Sequence, residues 1–102
     1  MLTTKINNQL TEAIRNRQII TFIYEGLNRG VEPFTLGNLH NGRLALSGFQ
    51  ITGRSQSGGI PNWRLFDVAK ISHLEVHTDV FTRMRPGYNR RDSRMSRIIT
   101  TV

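Results

Sequence analysis

The stretch Ile19-Ile20-Thr21-Phe22-Ile23-Tyr24-Glu25-Gly26 decides the fold. Its first six residues are all β-branched or aromatic, which suits a pleated, half-buried surface, and Glu25-Gly26 ends the run with turn residues. A partner strand should follow. Gly30-Val31-Glu32 is expected to return antiparallel across a turn over residues 26–30, with Pro33 limiting the pairing as at an edge or a bend. Upstream, Ile6, Leu10, Ala13 and Ile14 fall at i, i+4, i+7 and i+8, the stripe of an amphipathic helix over residues 4–17. Thr3 or Thr4 is the expected cap, and Arg15 and Arg17 lie where the helix dipole favours cations.

Further along, Asn41-Gly42 marks a tight turn into a strand over residues 43–51, and residues 52–62, with three Gly, two Ser and one Pro, predict an exposed loop. Trp63-Arg64-Leu65-Phe66 and Ile71-Ser72-His73-Leu74-Glu75-Val76 are the next strands, joined by a short connection over residues 67–70. Arg85-Pro86-Gly87-Tyr88 predicts a turn, and Asp92 is placed to cap a short helix carrying Met95, Ile98 and Ile99 on one side. The expectation is a mainly β (α+β) chain: one N-terminal helix, then about five short strands closing into a small β-barrel, with a basic C-terminal tail.

The chain has 102 residues, of which 37% are hydrophobic, enough for one modest core and not for a multidomain enzyme. Twelve Arg and two Lys face seven acidic residues, a net charge of +7. A polyanionic partner follows from that surplus, nucleic acid first. The charge is uneven: residues 83–102 hold six arginines against Asp92 alone, whereas residues 1–82 are close to neutral. This divides the chain into a body over residues 1–82 and an Arg-rich extension over residues 83–102, packed on the body or trailing from it. The absence of cysteine excludes disulfides, Cys-containing zinc sites and thiol nucleophiles. Residues 1–8 lack a secretory apolar run, and no stretch approaches the ~18 apolar residues that span a bilayer, so a cytoplasmic protein with no membrane role is expected.

Four pieces resemble the WYL domain of bacterial regulators, over roughly residues 13–81. Ala13-Ile14 through Tyr24 looks like the family's opening helix and first strand, and Val31-Glu32-Pro33-Phe34-Thr35-Leu36 like its V-x-P-x-x-L segment. Arg64-Leu65-Phe66-Asp67-Val68-Ala69-Lys70-Ile71 is similar to its R-x-F-x-L-x-R-I segment, with Val and Lys replacing Leu and Arg. The naming Trp-Tyr-Leu is replaced by Leu44-Ala45-Leu46, and Arg85-Pro86-Gly87-Tyr88 is similar to the tail of short stand-alone relatives. The resemblance implies an Sm-like or SH3-like barrel that senses a ligand or binds nucleic acid in transcriptional, defence or DNA-damage regulation. It also implies a basic pocket at Arg29, Arg43 and Arg64. One helix before the barrel is too little for a helix-turn-helix motif, so operator reading by this chain alone is not expected.

Other candidates come from the residues themselves. Trp63, Phe66, Phe34 and Phe49 are a stacking platform or simply core; Trp63 borders the loop and is the best placed of them. Tyr88, between Arg85 and Arg90, either stacks on a base or pins the tail to the body. Arg90, Arg91 and Arg94 are phosphate contacts or solvated charges. Ser55-Gln56-Ser57-Gly58-Gly59, with Arg54 beside it, is a weak phosphate cradle and more simply a hairpin loop. Gln50 reads a ligand edge or bonds to backbone. His73 and His77 on a strand lie about 13 Å apart, too far to share a zinc ion, and His77-Thr78-Asp79 lacks a nucleophile. No enzyme activity, cofactor or metal is therefore expected. The expected function is a binding module for single-stranded nucleic acid or a nucleotide-like anion. The alternative is an interaction subunit whose tail docks on an acidic protein or on a second copy of the chain.

Overall fold

The computed structural model describes residues 2–54 and 59–102. Helix α1 spans Leu2–Asn16 and is followed by strands β1 (Gln18–Tyr24), β2 (Leu27–Leu39), β3 (Leu44–Gly53), β4 (Asn62–Asp67), β5 (Ser72–Val80) and β6 (Met95–Thr101). The helix starts earlier than its spacing predicts, so Thr3 and Thr4 lie in its first turn and do not precede it as a cap. It ends at Asn16, and the next residue, Arg17, with a positive φ of 52° and an N–H bond to the Ile14 carbonyl, turns the chain into β1.

The sheet is antiparallel, in the order β4-β3-β2-β1-β5, with β6 added to β2. That makes six strands, against the five expected, and the path does not close: β4 and β5 remain its two ends. The expected helix over Met95, Ile98 and Ile99 is instead β6. Asp92 does accept a bond from the Arg94 N–H, but the turn it makes leads into a strand. The run Ile98-Ile99-Thr100-Thr101-Val102 is β-branched throughout, a strand signal that outweighs a lone cap. The β1–β2 turn is also tighter than predicted, since Tyr24 pairs with Leu27 across Glu25-Gly26, both at positive φ.

Pro33 stands in the longest and most central strand, not at an edge. β2 pairs with β1 up to Val31 and with β6 from Thr35, and its register with β3 shifts between Pro33 and Thr35. A residue without an N–H is tolerated where the ladder changes partner and bulges. Gly37 makes the β6 pairing possible, because a Cβ there would run into the Arg97 carbonyl oxygen and the Met95 sulfur.

The sheet buries both faces. On one, Leu10, Ala13 and Ile14 of α1 pack on Ile20, Phe22, Val31, Leu36, Leu46, Phe66, Val68 and Ile71, the main core. On the other, Glu32, Phe49 and Trp63 stand side by side across β2, β3 and β4. This second face is covered by residues 81–94, a strap joining β5 to β6, through Phe81 and Tyr88 against Phe34. Hence β2 is buried from Arg29 to Gly37 without alternation. Among the described residues no helix is long and apolar enough to cross a membrane.

Candidate functional site

The strap is tied to the sheet by specific polar contacts. Arg85 donates from Nε and Nη2 to the two carboxylate oxygens of Glu32, each at 2.8 Å, and its guanidinium lies 4.6 Å from the centre of the Phe49 ring. This fork-on-carboxylate pairing raises the Arg85 pKa, with the Glu32 hydrogen bond as its main cause. Trp63 Nε1 donates to the Pro86 carbonyl at 2.7 Å, and the Tyr88 hydroxyl meets the Thr101 hydroxyl at 2.8 Å and the Val102 carbonyl at 3.1 Å. With its ring 5.5 Å from that of Phe34 on β2, Tyr88 does pin the tail to the body. Gly87, at φ +90°, passes so close to the indole that a Cβ would sit 3.0 Å from Trp63 Nε1.

Between strap and sheet lies a pocket of about 320 Å³. Trp63 and Tyr88 form its half-buried aromatic walls, Thr35 and Ser47 its floor, and Asn89, Asp92 and Arg94 its polar rim. Arg94 is clamped by Asp92, with Nε to Oδ1 at 2.9 Å and Nη2 to Oδ2 at 2.6 Å, and its Nη2 also points at Ser47 Oγ, 3.4 Å away. The clamp holds the Asp92 carboxyl below the usual aspartate range and raises Arg94. Arg90 and Arg91 are exposed on the same strap, and neither side chain bonds to a described residue.

The other predicted residues are spread elsewhere. Arg29 is 3% exposed on the main-core side, over the rings of Tyr24 (5.4 Å) and Phe66 (5.8 Å). Its bonds to Gln50 Oε1, the Tyr24 carbonyl and Glu25 are 3.3 to 3.4 Å long, and its Nε has no hydrogen-bond partner among the described residues. Gln50 is fully buried and donates to the Thr52 and Arg54 carbonyls, the backbone-bonded alternative of its two readings. The Arg54 side chain is exposed. Arg43 is exposed and 3.5 Å from Asp67, and Arg64 Nη2 donates to the Gly59 carbonyl at 3.0 Å. The four aromatics of the expected platform are divided: Phe66 joins the main core with Phe22 and Tyr24, while Phe34, Phe49 and Trp63 share the strap face. The 55–58 part of the phosphate-cradle stretch lies outside the described residues.

Sequence reasoning thus names Trp63, Tyr88 and Arg94 without seeing that they meet. It misses Asp92, Ser47 and Asn89 as their companions. Asp92-Ser93-Arg94 carries the only local signal, and that signal has the form of a helix cap. Compared with protein-family models, curated proteins and solved structures, the chain finds no match in any of the three.

Proposed function

We propose that the protein is a regulatory binding module for single-stranded nucleic acid and that the strap face is its contact surface. The observation that carries this reading is the convergence of Trp63, Tyr88 and Arg94, remote in sequence, on one pocket beside Arg90 and Arg91, whose side chains pair with no described residue. Aromatic walls accept any base by stacking, worth about 1–3 kcal/mol each, and unpaired arginines hold the backbone. The reading takes the open sheet as a WYL-like variant of the Sm-like or SH3-like barrel, acting in the cytoplasm with no catalytic step of its own. In support, a single helix precedes the strands, and β5 returns beside β1.

The test is fluorescence anisotropy of labelled single-stranded DNA, RNA and duplex at two salt concentrations. Salt-sensitive binding that prefers single strands is expected. No binding at low salt by a protein of charge +7 would overturn the reading and leave an acidic protein or a second copy of the chain as partner. A second reading, a small anionic ligand at Arg29, is favoured by the Nε of that buried guanidinium, which has no hydrogen-bond partner among the described residues. It predicts a rise in melting temperature with nucleotides that Arg29→Met removes.

A further inference from the structure

The Asp92–Arg94 clamp leaves one edge of the guanidinium unused, and that edge has a particular complement. Arginine carries five N–H donors arranged along two forks. Asp92 takes the fork formed by Nε and Nη2. The fork formed by Nη1 and Nη2 remains, its only described contact being the long 3.4 Å approach to Ser47 Oγ on the pocket floor. The two bonds to Asp92 set the plane of the guanidinium, and its second fork lies in that plane at the pocket that Arg94 lines.

Two parallel donors match two adjacent acceptors. Phosphate, carboxylate and the O6/N7 edge of guanine all offer that pair. The remaining lining separates them. Asp92 itself lines the pocket beside the fork, and its carboxylate oxygens accept but do not donate, so they offer nothing to a phosphate or a carboxylate. It favours a neutral ring with N–H groups of its own. Trp63 and Tyr88 add aromatic surface to the lining that such a ring can contact. Adenine sets an amino donor beside N7 and would face the fork with the wrong sign, thymine has no two adjacent acceptors, and cytosine has its one such pair, O2 and N3, next to the ring nitrogen that carries the sugar, where guanine's O6/N7 edge is clear of it. We infer that the strap pocket selects guanine from a single strand, with Arg94 reading O6 and N7 and Asp92 acting as its positioning residue. This rests on the nucleic-acid reading above and adds base specificity to it.

The experiment uses the full chain and a short labelled oligothymidine, alone or with one central guanine, adenine or 7-deazaguanine, which lacks the N7 acceptor. Binding is read by anisotropy and by emission of Trp63, the only tryptophan, which lines the pocket. The guanine oligonucleotide should bind roughly 5- to 150-fold more tightly than oligothymidine, the range of one bidentate contact, and should change the Trp63 emission. Adenine and 7-deazaguanine should fall back toward thymine. Asp92→Asn and Arg94→Lys should each narrow the guanine-to-thymine ratio; the 7-deazaguanine comparison needs no variant and is independent of their folding. Equal affinity for all four oligonucleotides overturns the guanine inference and leaves the nucleic-acid reading standing. Equal binding of guanine and 7-deazaguanine overturns the assigned fork contact, and no binding to any of them overturns both readings.

Discussion

Glu32 and Arg85 show how much one residue's role depends on its partner. The Glu32 side chain is 5% exposed and carries a charge that Arg85 alone neutralises among the described residues. Arg85→Ala would leave a buried carboxylate without its counter-ion, and a loss of about 3–5 kcal/mol in urea unfolding is expected. Adding Glu32→Gln should recover much of it, because the buried charge is then gone. A single variant as stable as the parent would show that the strap is not held by this pair. Asp92 has a pH signature of its own. Its carboxyl pKa lies lower in the folded chain than in the unfolded one because Arg94 bonds to the ionised form. The unfolded state thus binds more protons in the acid range, and the stabilisation is complete above a pH of about 4 and lost as pH falls below it. Asp92→Asn should flatten that part of the stability profile, measured by urea unfolding across acid pH.

At the scale of elements, β6 is the piece whose place is most exposed to test. Its pairing with β2 depends on Gly37 having no side chain. Gly37→Val should push β6 off β2, costing at least about 1–3 kcal/mol as overpacking does and speeding amide hydrogen exchange across Met95–Thr101 more than across β3. Uniform exchange in parent and variant would count against the pairing. Helix α1 offers a contrasting control, because Leu10 is fully buried in the main core. Leu10→Ala should cost about 2–5 kcal/mol by leaving a cavity, and the loss should be global. The helix stripe and the strands of the body are readable because apolar period and turn chemistry are local. β6 is not, because Asp92 gives a cap signal at a turn that starts a strand.

For the whole molecule, the question is where the charge of +7 acts. Arg85 and Arg94 are committed to Glu32 and Asp92, whereas Arg83, Arg90, Arg91 and Arg97 are exposed with no ion pair to a described residue. Binding of single strands should therefore depend on the second group. Replacing Arg90 and Arg91 with Ala should reduce the slope of log affinity against log salt by about 0.7 for each phosphate that is no longer neutralised, with little change in unfolding. An unchanged slope would move the interface away from the strap.

The helix, the strands of the body and the concentration of arginines near the C-terminus are legible in the chain alone. Each of these is carried by residues within a turn or two of one another, through apolar period, β-branching, turn chemistry and charge count. Tertiary structure alone decided that the sheet stays open and that residues 95–101 complete it. It also decided that Arg29 is buried. Above all it sorted the arginines. Arg85 meets Glu32 across 53 positions, and Arg94 reaches Ser47 across 47. No local pattern encodes such a pairing, because a charge is made structural or left available for a ligand only by what the fold sets against it.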